Sequence, residues 1–365
     1  MKGCDDPDVW QETSILGHGT GVTVSILLWV VTVPLTMLLL GALFQTIGSA
    51  IDRRRYPLPG RLVPVQGIRL HAYFEGEGEP TIILESGIAA SSLNWRAVQA
   101  ELAQFTRVVS YDRAGFGWSE AALTPRTIDN LVSELETMLD ALEISGPLIL
   151  VAHSFGSLIA RTYCHRNPDR VVGLLLLDPI DCEHWSTLLP EGNARLALGA
   201  RLSGRGALLA RVGVVRFSLL LLSAGAKTLP KWIARILSGN GESVISRVTA
   251  EVSKMPSELL PAVRAHWSRP QSFETLAQYL SRLTQCVNEI PYASLGHLPL
   301  VVISAESATE SEVREHRKLA SLSSIGEHIM AERSGHWIQL DRPDLVVSLL
   351  QHSFGMSRKP SVTVL

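Results

Sequence analysis

The stretch LILVAHSFGSLIAR, residues 148–161, holds a single serine between two apolar runs, with small residues on either side. Leu148–Val151 read as a buried strand, and Leu158, Ile159 and Thr162 recur at helical spacing from about Phe155 onward. Ser154 therefore falls on a strand-to-helix corner. A nucleophile on such a corner stands clear of the sheet, but the crowded backbone leaves little room two residues before and after it. Those positions are Ala152 and Gly156, so the usual G-x-S-x-G appears as A-x-S-x-G. The chemistry is nucleophilic attack on an acyl carbon. S-x-G triplets also end strands with no chemistry attached, so the assignment depends on the rest of the chain.

The elements around Ser154 alternate. After the Pro/Gly-containing RYPLPGRLVPVQG come strand patterns in IRLHAYFEG, PTIILESG and RVVSYD, with a short helix over 94–104 before the last of these. TIDNLVSELETMLDALEI is amphipathic, with Ile128, Leu131, Leu135, Met138, Leu139 and Leu142 on one face. RVVGLLLLDP, HLPLVVISA and GEHIMAERSGH supply further strands. Such alternation predicts an α/β fold: a mostly parallel sheet covered by helices on both faces, with reactive groups at the carboxyl ends of its strands. Between Glu183 and Leu295 strand signals vanish and leucine-rich helical sequence takes over, which predicts an inserted helical cap.

The N-terminus differs from the rest. No Asp, Glu, Lys or Arg occurs between Glu12 and Asp52, and the stretch is long enough to cross a bilayer; Pro34 is tolerable within such a helix. Gly48-Ser49-Ala50 resembles a signal-peptide cleavage site, but the preceding MKGCDDPDVWQE is acidic and the apolar run is too long for a signal peptide. The expectation is an uncleaved single-pass anchor over residues 21–49, separable from the rest, so that deleting residues 1–50 leaves an active soluble enzyme. Acidic residues precede it and Arg53, Arg54, Arg55 and Arg61 follow it, which places the catalytic part in the cytoplasm. The organisation expected is a tail (1–20), the transmembrane helix (21–49), a linker (50–64), core (65–182), cap (183–295), core (296–358) and a C-terminal tail (359–365).

Composition narrows the function. A net charge of −2 with no basic stripe gives no reason to expect nucleic acid. Cys4, Cys164, Cys182 and Cys286 are scattered, and the histidines form no metal-binding pairs, so no metal is expected. The chain resembles the α/β-hydrolase superfamily over about residues 65–355, on four motifs taken in order: LESGIAASSLNW, YDRAGFGWS, AHSFGS and SGHWIQLDRPDLV. The resemblance implies Ser154 as nucleophile and His336, of the final Gly-His motif, as its base. His153, next to the serine, is expected to point away and pack. Backbone N–H groups must stabilise the oxyanion; these would come from Phe155 and, in the loop where the family has His-Gly-x and this chain has Ser86-Gly87-Ile88, from Ile88. Where many members carry the acid after the seventh strand, this chain has Ala308, with Glu306 nearby. Asp178, after the sixth strand, holds the place used by other branches. Asp178 is the favoured acid and Glu306 the alternative, ahead of Asp181 and Glu310. Asp112 and Arg113 read as structural turn residues. Trp95 and Trp337 are candidate substrate-lining residues.

The expected activity is hydrolysis of an ester, or a thioester or amide, of a small or apolar molecule through an acyl-enzyme, with no cofactor. Carbon–carbon bond hydrolysis on the same fold and a non-catalytic binding protein are the alternatives. Haloalkane and epoxide chemistry on this fold uses an aspartate nucleophile, which Ser154 replaces.

Overall fold

In the computed structural model, residues 12–224, 251–290 and 292–355 are described, 12–27 by backbone alone. The tail residues 1–11 and 356–365 and the middle of the expected cap, 225–250, lie outside them. Eight strands form one sheet: β1 (Arg61–Val65), β2 (Ile68–Glu75), β3 (Thr81–Glu85), β4 (Val108–Tyr111), β5 (Leu148–His153), β6 (Val171–Leu177), β7 (Leu300–Ala305) and β8 (Glu327–Ala331). Their order is β1-β2-β4-β3-β5-β6-β7-β8. Pairing is antiparallel from β1 through β2 to β4 and parallel for the rest.

The apolar runs alternate across the sheet. Leu148, Leu150 and Ala152 of β5 and Leu174 and Leu176 of β6 face one buried cluster, while Ile149, Val151, Leu175 and Leu177 face the other. Helices α3 (Ile128–Ala141) and α4 (Gly156–Arg166) cover the first face; α2 (Arg96–Leu102) and α12 (Pro343–Ser353) cover the second. A strand buried on both sides cannot alternate with polar residues, hence the continuous Leu/Val/Ile runs. Burying each such side chain fully contributes about 1.5–3 kcal/mol.

Residues 61–64, expected to be linker, belong to strand β1 instead. Gln66 (φ 48°) and Gly67 (φ 88°) supply two successive left-handed residues, the requirement of a two-residue turn joining β1 to β2. Pro64 is tolerated because β1 is an edge strand.

The helical insertion follows β6: α5 (Cys182–Ser186), α6 (Pro190–Arg211), α7 (Val214–Ser223), α8 (Leu260–Trp267) and α9 (Pro270–Asn288). The remaining helices are α10 (Glu310–Ala320) and α11 (Ile338–Asp341). N-terminal α1 runs from Glu12 to Arg55, past Pro34 and beyond the expected end at residue 49. Within it, Leu28–Arg55 is long and apolar enough to cross a membrane. Residues 28–40 are exposed all round, but from Gly41 onward one face of the helix rests on the insertion. Gln45 is buried and donates to the Ser268 carbonyl at 2.9 Å. The helix is thus part of the folded body at its C-terminal end, which corrects the expectation of a separable anchor joined by a linker.

Candidate active site

Ser154 adopts a left-handed backbone (φ 52°) between β5 and α4, with its N–H bonded to the Leu177 carbonyl at 3.0 Å. That conformation strains a residue bearing a Cβ and turns the half-buried Oγ out of the sheet. The need for small neighbours is visible at Gly156. A Cβ there would lie 2.8 Å from the Glu85 side chain and 2.8 Å from the Ser86 carbonyl oxygen.

Three side chains from three loops converge. His336 Nε2 lies 3.1 Å from Ser154 Oγ, and its Nδ1 lies 2.6 Å from Asp178 Oδ2. Asp178 stands immediately after β6 in a left-handed conformation (φ 41°), and its other oxygen accepts the Ala305 N–H at 2.9 Å. Burial pushes the Asp178 carboxyl up, but His336 and the Ala305 N–H outweigh it and hold the carboxyl below its usual range. Asp178 therefore stays an anion facing the imidazole. Glu306 is directed elsewhere: its carboxylate accepts the Arg333 N–H at 2.6 Å. Asp181 caps α5 by accepting the His184 N–H, and Glu310 opens α10.

His153 packs behind this group. Its Nε2 donates to the His336 carbonyl at 2.9 Å, and the two rings lie 4.6 Å apart. Burial, and then the neighbouring His336, lower its pKa to about 3, so the ring is neutral. It packs as expected, and it also tethers the loop that carries His336, a contact spanning 183 residues that no local pattern signals.

The backbone near Ser154 offers two free donors. Among the described residues, neither the Phe155 N–H nor the Ile88 N–H meets a backbone acceptor. Gly87 lies so close that a Cβ on it would be 3.3 Å from the Ser154 Cβ. Arg113 anchors this loop, donating to the Ser86 carbonyl at 2.7 Å and to the Gly87 carbonyl. It also pairs with Glu85 at 2.6 Å, both side chains being buried. The reading of Arg113 as a turn residue missed this role. Asp112 is structural as expected: fully buried, it accepts from the Ser92 and Trp118 N–H groups and pairs with His71 at 2.8 Å. Cap helix α9 reaches the corner through Tyr279, whose ring packs edge-on against Phe155 with centroids 5.2 Å apart.

The two tryptophans part ways. Trp337 borders a cavity of about 20 Å³, shared with Ala90, Asn94, Phe116, Met255 and His266. Trp95 has no exposed surface; it lies in the core behind α2 and donates to Ser86 Oγ at 3.0 Å. Its expected place in the substrate site is corrected: it braces the loop from behind. Among the described residues, no three His, Cys, Asp or Glu side chains converge as metal ligands.

A family model for the alpha/beta hydrolase family matches residues 82–349. The chain belongs to that family. Among relatives of this α/β hydrolase, an uncharacterized Bacillus subtilis protein, YqjL, is 34% identical over 130 residues, 35% of this chain and 51% of YqjL. The match thus spans about half of that relative's length. An AB hydrolase superfamily protein of Gibberella zeae is 26% identical over 284 residues, covering 74% of this chain and 84% of the relative. Among solved structures, an esterase from Thermogutta terrifontis superposes with a TM-score of 0.57 at 19% identity, over 81% of this chain and 97% of the esterase. At that identity the likeness speaks for the fold alone.

Proposed function

We propose that this α/β hydrolase is a membrane-anchored serine hydrolase that cleaves an ester-type bond of a small or apolar substrate through an acyl-enzyme. The hydrogen-bonded chain from Ser154 through His336 to Asp178 carries the reading. Ser154 Oγ attacks the acyl carbon as His336 Nε2 takes its proton. Asp178 accepts the Nδ1–H and stabilises the imidazolium that forms. The oxyanion is held by the free N–H groups of Phe155 and Ile88. His336 then passes its proton to the departing alcohol, and a water activated by the same nitrogen releases the acid and regenerates Ser154. An alkyl-enzyme route is disfavoured because a carboxylate, not a hydroxyl, is the nucleophile that suits it.

The anchor is α1, with the catalytic body on the side of Arg53, Arg54 and Arg55 and therefore cytoplasmic. The bonds of Gln45 to the Ser268 carbonyl and to Arg216 favour an uncleaved helix over a signal sequence, since cleavage near residue 50 would remove a residue built into the fold. A fluorophosphonate probe should label the membrane-fraction protein, and Ser154→Ala should abolish labelling and ester hydrolysis while leaving the protein folded. Wild-type protein that resists the probe and turns over no ester would mark a non-catalytic binding protein. Substantial hydrolysis by the folded variant would remove Ser154 from the mechanism.

A further inference from the structure

Helix α7 has the sequence VVRFSLLLLS, and its only charged residue is turned inward. The guanidinium of Arg216 donates to Gln45 Oε1 (2.9 Å), Asp52 Oδ2 (2.6 Å) and Ser49 Oγ (3.1 Å), all on α1, and to Ser268 Oγ (2.8 Å). The hydroxyls of Ser218 and Ser223 bond to the carbonyls of Val214 and Leu220 in the same helix, so neither needs water. What remains outward is apolar: Phe217 is 51% exposed, Leu220 53% and Leu222 48%, with Leu208 of α6 beside the junction at 58%. An uncharged patch of this kind on a protein surface marks an interaction site.

Its place relative to α1 identifies the occupant. The α6–α7 junction meets α1 through glycines in backbone contact: a Cβ on Gly41 would fall 2.3 Å from the Val212 carbonyl oxygen, and one on Gly213 2.7 Å from that of Gly41. Gly41 is also where α1 ceases to be exposed all round. A hydrocarbon core takes up about 20 helical residues, which residues 21–40 supply. Gly41, and with it the start of α7, then lies at the edge of that core, and the three arginines 53–55 lie further out among headgroups. We infer that α7 is a second membrane contact, seated by its exposed Phe217 and Leu220 side chains in the lipid interface beside α1, with Arg216 setting its depth. This rests on the reading of α1 as a membrane span. An interfacial helix of this sort buries its apolar face at the headgroup–acyl boundary. The cap is thereby turned toward lipid, which suits an amphiphilic substrate drawn from the bilayer.

The test uses the full chain in phosphatidylcholine/phosphatidylglycerol liposomes, with Cys4 replaced by serine and the buried native cysteines retained. Variants with one added surface cysteine, Leu38→Cys (α1), Leu220→Cys (α7) and Leu123→Cys (core surface), carry an environment-sensitive fluorophore at that position. They are exposed to doxyl-labelled lipid and, separately, to iodide. The inference expects the Leu220 probe to lose fluorescence to doxyl lipid as the Leu38 probe does, while the Leu123 probe responds to iodide alone. A Leu220 probe quenched by iodide but not lipid, with Leu38 quenched by lipid, overturns the inference and leaves the anchor standing. A Leu220 probe shielded from both quenchers means that protein covers α7, residues 225–250 or a second copy, and also overturns it. If the Leu38 probe itself escapes lipid quenching, the anchor falls and the inference with it.

Discussion

Two carboxylates lie at strand ends near His336, and their hydrogen bonds give them different tasks. Asp178 divides its oxygens between the Ala305 N–H and His336 Nδ1, whereas Glu306 clasps the Arg333 N–H in the turn after β8. An acid that holds the imidazole tautomer and faces the developing imidazolium affects rate more than binding. Asp178→Asn should therefore lower kcat by up to about 10⁴-fold with KM little changed, by analogy with protease triads. Glu306→Gln, which keeps an acceptor for the Arg333 N–H, should cost well under tenfold. Steady-state kinetics on a short-chain ester would decide between them, and reversed losses would reassign the acid. Sequence spacing makes both residues candidates because the acid sits after either of two neighbouring strands. Only the fold shows which carboxylate reaches the ring.

At the scale of elements, the corner between β5 and α4 is readable from sequence because it is set by local sterics. A nucleophile with a left-handed backbone demands small residues on either side, and those are printed in the chain. Gly156→Ala would push a Cβ into the Glu85 side chain and the Ser86 carbonyl, wedging α4 away from β3. Overpacking of this kind costs about 1–3 kcal/mol, so chemical denaturation should detect it. Because Ser86 leads into the Gly87–Ile88 loop, kcat should fall as well. A variant with unchanged stability and rate would refute the crowding argument. Contacts between distant elements were not readable. Arg113 bonds to carbonyls 26 and 27 residues away, and Arg216 to side chains 164 to 171 residues away, with no periodicity to announce either. The Arg216 cluster changes what truncation should do. Removing residues 1–40 spares every one of its partners, whereas removing 1–52 deletes Gln45, Ser49 and Asp52. Hydrogen bonds to a charged group contribute about 1.5–3 kcal/mol each where water cannot replace them. Water reaches Arg216 once the helix is gone, so the longer deletion should cost about 2 kcal/mol in all. Thermal unfolding of both deletions in one detergent would show this, and equal midpoints would mean that α1 contributes nothing to the fold.

For the whole molecule, two buried histidines tie stability to pH. His153 lies behind the base, and His266 lies on α8 against the Asp112 turn, its ring edge-on to Trp118 with centroids 4.4 Å apart. Burial lowers both pKa values from 6.5 to about 3, helped at His153 by His336 and at His266 by Arg269. Between those values the unfolded chain binds protons that the folded chain refuses, so their contribution to stability is complete above pH 6.5 and is lost as pH falls toward 3. His71 runs the other way: burial lowers its pKa, but Asp112 outweighs burial and raises it, so acidification from pH 7 through 6.5 adds stability there and offsets part of the loss, until the unfolded ring is also charged. Asp112, held at about 2 against burial by His71 and by the Ser92 and Trp118 N–H groups, destabilises the fold only below its ordinary 3.8. The decline on acidification should therefore begin in the histidine range, at up to about 1.4 kcal/mol per pH unit for each of the two rings. Urea unfolding at about pH 7 and about pH 5 should differ by up to roughly 4 kcal/mol, and His266→Gln should halve the difference. Equal stability at the two pH values would show that these rings are not held neutral. Over this range His153 continues to support the base as a neutral ring, because its folded pKa lies at about 3.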